Sequence, residues 1–249
     1  MKLLIDLGNT RLKLAALDAR SIQPLAHFSH AAPDFESVLS YWLLQFKSTR
    51  HLWLASVADQ ATTRRVEAMI EATGITTHVV RTQASALGVR NGYVRFEQLG
   101  VDRWLALLAL HASGPVPCLS VSVGSALTCD GLTADGQHLG GLIAPTPEAM
   151  RQALSARAPG LSQVPGQVTD LARSTEDGIE SGCVLAAVAL IERCRTRVCE
   201  QLDQDVKLVV SGGGADGLRP WLDAHDYRPQ LVLEGLARWI HAHTDGASA

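Results

Sequence analysis

Apolar and polar positions fall into two similar blocks along the chain. In the first, Leu3 to Ile5 form a short apolar run, Gly8-Asn9 interrupt it, and Leu12 and Leu14 then alternate with Arg11 and Lys13. That pattern predicts a strand, a tight turn and a half-buried second strand. Asp34 precedes Phe35, Val38, Leu39, Trp42, Leu43 and Phe46, whose spacing predicts a capped helix with one buried face. A buried strand over Leu52–Val57, a helix over Thr63–Thr73 closed by Gly74, and a short strand over His78–Arg81 follow. An apolar helix over Val101–Ala112 ends at Gly114-Pro115.

The pattern then restarts. Cys118 to Leu132 reads as strand, Gly124-Ser125 turn, strand, and Leu139 to Ile143 supplies a third strand. Laid over the first block, Gly8 falls on Gly124, Asn9 on Ser125 and Asp6 on Ser122. Ser174 opens a long helix with Asp177 as a capping-box partner; its stripe is Ile179, Cys183, Ala186, Ala187, Leu190, Ile191, Cys194 and Val198. A buried strand at Leu208–Val210 exits into Ser211-Gly212-Gly213-Gly214, and Leu231–His241 is the closing helix. The reading is two α/β halves with a pseudo-repeat, split near Gly114 to Pro117. A cleft between two such halves is a favoured place for a ligand.

Composition narrows the function. Apolar residues make up 47% of the 249, which excludes a disordered chain. A net charge of −3 and 5% aromatics argue against phosphate-backbone binding and base stacking. The apolar run before Asp6 is too short for a signal peptide, and no run approaches the roughly 20 residues of a bilayer span. The five cysteines are odd in number and form no CxxC pair, which suits a reducing cytoplasm better than a disulfide framework. Among the histidines only His27 with His30 and His241 with His243 lie close in sequence, and neither pair completes a metal pattern.

The candidate chemistry sits at the turns. Asp6-Leu7-Gly8-Asn9-Thr10 places a carboxylate at a strand end before a tight turn. Such a turn can hold hydrated Mg²⁺ and cradle phosphate oxygens, although the same residues also make an ordinary hairpin. Gly100-Val101-Asp102-Arg103 opens the apolar helix. There Arg103 can clamp a carboxylate and Asp102 can take a hydroxyl proton, although Asp102 could also simply cap the helix. Ser122-Val123-Gly124-Ser125, Gly140-Gly141, Ser174-Thr175 and Ser211–Ala215 complete the series, each also readable as a turn, bend, cap or flexible loop.

In this order the segments IDLGNTRLK, GVDRW, SVGSALTCD, HLGGLIAP, STEDGIESG, VVSGGGA and LVLEGL resemble the type III pantothenate kinases. That family, also called Bvg-accessory-factor-like, belongs to the acetate and sugar kinase, Hsp70 and actin superfamily. The resemblance runs from Met1 to about Ile240. It implies an α/β fold of two ribonuclease-H-like (actin-like ATPase) domains facing a central cleft, residues 1–115 and 116–249. It also implies ATP-dependent phosphorylation of pantothenate to phosphopantothenate, the first step of coenzyme A biosynthesis. Asp6, Leu7, Gly8, Asn9, Thr10, Arg11, Leu12 and Lys13 would form the first phosphate loop, with Asp6 near Mg²⁺ through water, and Ser125 would also meet ATP. Tyr93, Gly100, Val101, Asp102 and Arg103 would bind pantothenate, Thr175 would add a contact, and Asp102 would be the base. The implied active unit is a cytoplasmic homodimer with pantothenate near its interface and no nucleic-acid or membrane partner.

The second loop departs from the family pattern. It usually reads Asp-x-Gly-Thr, and its Asp serves a monovalent-cation site for K⁺ or NH₄⁺. Here Ser122 and Ser125 stand in the Asp and Thr places. A neutral hydroxyl is a weaker cation ligand, so the expectation is a weakened dependence. The two changes also leave room for a catalytically weak or inactive nucleotide-binding regulator of the same fold, which the presence of Asp6, Asp102 and Arg103 opposes.

Overall fold

The computed structural model describes residues 1–19, 21–46, 48–158, 160–161 and 164–244. The chain divides into two compact units, Met1–Gly114 with Gln230–Ala249, and Pro115–Pro229.

The first unit holds β1 (Lys2–Leu7), β2 (Arg11–Asp18), β3 (Ser21–Ser29), α1 (Phe35–Gln45), β4 (His51–Ser56), α2 (Gln60–Glu71) and β5 (Thr76–Val80). The short hairpin β6 (Ser85–Ala86) and β7 (Val89–Arg90) precedes α3 (Val101–Ser113). The sheet order is β3-β2-β1-β4-β5, antiparallel through the first three strands and parallel from β1 to β5. Alternation sorts the side chains. Leu3, Ile5, Leu7, Leu12, Leu14, Leu52 and Leu54 meet Phe35, Leu39 and Leu43 of α1 and Val66 and Ile70 of α2 in one core. Asp34 makes no side-chain cap, whereas Asp59 accepts the Thr62 amide and starts α2 three residues before the expected Thr63. β3 was not foreseen, because Pro24 and its half-exposed polar residues hide the strand period of an edge.

The second unit repeats the topology. It holds β8 (Cys118–Val123), β9 (Leu127–Leu132), β10 (His138–Ala144), α4 (Pro147–Arg157), α5 (Thr175–Leu202), β11 (Lys207–Ser211) and β12 (Asp226–Tyr227). The order β10-β9-β8-β11-β12 matches that of the first sheet strand for strand. Leu119, Val121, Val123, Leu127 and Val210 pack on Val184, Ala187, Val188, Ile191 and Cys194 of α5. Ser174 Oγ accepts the Asp177 amide at 3.1 Å and caps α5. The Asp177 carboxylate instead accepts from the Gln167 amide at 2.8 Å, so the box is not reciprocal.

The closing helix corrects the sequence reading. α6 (Leu231–Thr244) belongs to the first unit, not to the C-terminal half where the boundary at residue 116 placed it. It packs across α3, and a Cβ on Gly235 would stand only 2.0 Å from the Leu105 carbonyl oxygen. Two backbones in such contact leave no room for a side chain. α3 is buried along almost its full length, from Val101 and Arg103 to Leu110, which explains its apolar character all round.

Candidate active site

The first hairpin positions Asp6. β1 and β2 pair Asp6 with Lys13, on the sheet face opposite the α1–α2 core. The Lys13 ammonium lies 3.4 Å from the Asp6 carboxylate. Asp6 is 7% exposed. Burial raises its pKa above the usual carboxylate value, and the charge and hydrogen bond of Lys13 oppose that rise. The ionised carboxylate is thus under-compensated, and a hydrated divalent cation beside it would supply the missing charge. Among the described residues no three His, Cys, Asp or Glu side chains converge as a cage. This suits Mg²⁺, which is commonly held by one or two carboxylates, waters and the phosphates of a substrate. Leu7 and Leu12 are fully buried in the core, so only their backbone can meet a ligand. Asn9, Thr10 and Arg11 are exposed at the turn, which the Gly8 amide closes by donating to the Arg11 carbonyl at 2.9 Å.

The acceptor-side motif opens α3. The Asp102 carboxylate accepts the amide of Arg103 at 2.8 Å. It folds back over Gly100, where a Cβ would lie 2.5 Å from Asp102 Oδ1. A side chain at that position would make the Asp102 carboxylate shift. Arg103 is 6% exposed. Its Nη1 donates to the Tyr93 hydroxyl at 2.9 Å, and its guanidinium stands 5.5 Å from the centre of the Tyr93 ring. The Tyr93 amide donates to Asn91 Oδ1 at 2.9 Å, and Asn91 Nδ2 ties the loop to the carbonyls of Gln83 and Phe96.

Val57 joins these two groups. Its amide donates to the Leu7 carbonyl at the hairpin end of β1, at 3.0 Å, and its Cγ1 lies 3.5 Å from where a Gly100 Cβ would be. The residue after β4 therefore pairs with the end of β1 and lies close to Gly100, so the Asp6 hairpin and the Gly100–Arg103 turn sit at the same end of the central strands. The sequence reading missed Val57 and Asn91. For Asn91 the Asn-Gly turn dipeptide just before Tyr93 was an available signal. For Val57 there was none, because it is one apolar residue at the end of an apolar strand.

The second unit carries the remaining predicted residues. Ser125 is exposed in a turn that the Gly124 amide closes on the Ala126 carbonyl at 3.0 Å. The glycine-rich exit of β11 lies against this hairpin: the Gly214 amide donates to the Val123 carbonyl at 2.9 Å. Gly212 has φ +92°, and a Cβ there would lie 2.3 Å from the Val123 carbonyl oxygen. The chain's own backbone demands that glycine, whereas Gly213 and Gly214 are exposed. Thr175 is exposed at the start of α5 and lines a cavity of about 640 Å³ between α4 and α5. No residue of the second hairpin or the β11 exit lines that cavity.

Ser122 does not fit a carboxylate-liganded cation site. It pairs with Thr128 on one side and Ser211 on the other. The Ser211 hydroxyl donates to the Val121 carbonyl at 3.1 Å. Asp130 shares this sheet face, two residues beyond Thr128, and its carboxylate is held by the buried His138 at 2.9 Å. Where the first unit sets Asp6 against Lys13, the second sets Ser122 against Thr128.

Two sheets of identical strand order, each opening on a tight glycine hairpin, define the actin-like α/β fold class. Solved structures of that fold agree. A Campylobacter jejuni protein described as a Baf family transcriptional activator superposes with a TM-score of 0.63 at 19% identity, covering 98% of this chain and 99% of that one. A Sinorhizobium meliloti protein described as a 2-dehydro-3-deoxygalactonokinase gives 0.59 at 12% identity, over 98% and 99%. An archaeal actin homolog gives 0.52 at 10%, over 97% and 99%. Within that class the chain belongs to the type III pantothenate kinases, whose family model matches residues 2–197. A type III pantothenate kinase of Xanthomonas campestris pv. campestris is 44% identical over 236 residues, 95% of this chain and 96% of the relative. One of Stenotrophomonas maltophilia is 43% identical over the same shares.

Proposed function

We propose that this chain transfers the terminal phosphoryl group of ATP to the primary hydroxyl of pantothenate, the committed entry to coenzyme A. The observation that carries the reading is the Gly100–Arg103 turn, which lies beside Val57, the residue bonded to the end of the Asp6 strand. Arg103, oriented by Tyr93, clamps the substrate carboxylate. Asp102 orients the hydroxyl and takes its proton as the new O–P bond forms and the bond to the ADP oxygen breaks. The transition state is loose, so positioning and charge neutralisation dominate. When bound, Mg²⁺ beside Asp6 offsets phosphate charge. The exposed turn at Asn9 and Thr10 and the Lys13 ammonium hold the phosphates in place.

The test is Asp102→Asn. It should keep ATP binding and lower kcat by about 10²–10⁴-fold, read by mass spectrometry of phosphopantothenate. Near-normal turnover would remove Asp102 from the role.

The same reading includes a homodimer in the cytoplasm. Leu142 and Ile143 of β10 are 51% and 64% exposed, and Leu154 of α4 is 41% exposed beside the α4–α5 cavity. An apolar surface of this kind fits a second copy of the chain. Sedimentation velocity decides it: a concentration-independent monomer would overturn the dimer. The Ser122 surroundings favour only a weak requirement for a monovalent cation.

A further inference from the structure

The sheet of the first unit brings together two histidines that sequence spacing keeps apart. His51 opens β4 and His78 lies on β5. The parallel register sets His51 opposite Thr76 and Trp53 opposite His78, so all four share one face. His51 Nδ1 and His78 Nε2 stand 3.0 Å apart, and both residues are exposed. Trp53 fixes the arrangement. Its ring stacks on His78 at 4.8 Å and 21° and is 8% exposed, so packing anchors the indole and the indole orients the imidazole.

We propose that His51 and His78 form a bidentate site for a borderline transition-metal ion, Cu²⁺ above all and Ni²⁺ less tightly. The geometry carries this. With metal–imidazole bonds of about 2.0–2.1 Å, two cis ligands at a right angle stand about 2.9 Å apart, and tetrahedral ones about 3.3 Å. The observed 3.0 Å is the bite of a tetragonal pair. An ion bound there takes the place of the proton between the rings: the donor ring stays neutral by moving that proton, through solvent, to its other nitrogen, so that both facing nitrogens offer lone pairs, and water fills the remaining positions. The Lys2 ammonium lies 5.4 Å from the Trp53 ring, and its charge moderates the affinity.

The site is separate from the phosphate loop. His51 precedes Leu52, the partner of Leu3, whereas Asp6 pairs with Ala55. Four residues of strand, about 13 Å, separate them. Hard Mg²⁺, which prefers oxygen, does not compete for two imidazoles. The inference therefore stands or falls independently of phosphoryl transfer.

The experiment titrates the full chain with CuCl₂ and NiCl₂ in a non-chelating buffer, by calorimetry and by tryptophan emission. One Cu²⁺ should bind per chain and quench part of the emission. His51→Gln and His78→Gln, both at exposed positions, should each weaken binding by at least the ~10-fold that even an outer-shell partner contributes. Trp53→Phe should keep the binding and lose the quenching. Absence of stoichiometric binding, or binding unchanged in both histidine variants, would overturn the proposal.

Discussion

Tyr93→Phe isolates one hydrogen bond of the acceptor site. The substitution removes the hydroxyl that Arg103 Nη1 reaches at 2.9 Å and leaves the ring at 5.5 Å from the guanidinium. The cation–π contact is therefore preserved, and the change reads only the oriented donor. A hydrogen bond to a charged group contributes about 1.5–3 kcal/mol net, which is about 10- to 150-fold in an equilibrium. Tyr93 is half-buried, so water can replace part of the loss, and the lower end applies. The expectation is a KM for pantothenate raised about tenfold with kcat held within about threefold, because Arg103 binds the acid and does no chemistry. Steady-state kinetics with pantothenate varied at saturating ATP measure it, and a melting curve controls for folding. A fall in kcat at unchanged KM would refute the assignment of Arg103 as the carboxylate clamp.

Three other outcomes follow from the geometry. Asp6→Asn should abolish turnover and raise the melting temperature. The folded pKa of Asp6 lies above its ordinary value of 3.8, so stability falls as pH rises from there through the folded value, and the ionised group is a net cost at neutral pH. Removing the charge should gain roughly 0.5–2 kcal/mol, and an unchanged or lower melting temperature would contradict that sign. Gly235→Ala should force α6 off the Leu105 carbonyl, at 2.0 Å from the new Cβ, and cost about 1–3 kcal/mol. Wild-type stability in that variant would show that the helices can separate freely. Replacing K⁺ by tetramethylammonium should leave most of the turnover, given Ser122 and the engagement of Asp130 by His138; complete loss would refute a weakened cation dependence.

The sequence made the buried elements legible and the edges obscure. β1, β2, β4, α3, β8, β9, α5 and β11 carry strong apolar periodicity, and the hairpin turns carry glycine, so both could be read locally. α4 has no fully buried residue, and its pattern was lost among polar side chains. The placement of α6 was illegible for a different reason. Its amphipathic face specifies that it packs, and only the contact between Gly235 and Leu105 specifies on what. The site divides in the same way. Asp6, Gly100, Asp102 and Arg103 announce themselves by residue type at turns. Val57, Asn91 and the His51–His78 pair act through contacts made across strands and loops, which a local pattern does not contain.

The glycines show what such a pattern can and cannot mean. A glycine in a site motif need not mark a backbone that meets a ligand. Gly100 instead leaves room for the Asp102 carboxylate, and Gly212 leaves room for the Val123 carbonyl. The repeat is refined in the same way. In the first hairpin four residues, Gly8–Arg11, separate the paired Leu7 and Leu12; in the second only three, Gly124–Ala126, separate Val123 and Leu127. The gapless overlay was therefore correct up to the turn and one residue out beyond it, and the counterpart of Lys13 is Thr128. The charged cross-strand pair of one unit thus became a pair of hydroxyls in the other. The two units share the strand order that makes the two hairpins, and the charged pair Asp6–Lys13 stands in the first. The metal and phosphate chemistry should accordingly be far more sensitive to charge changes in the first hairpin than in the second.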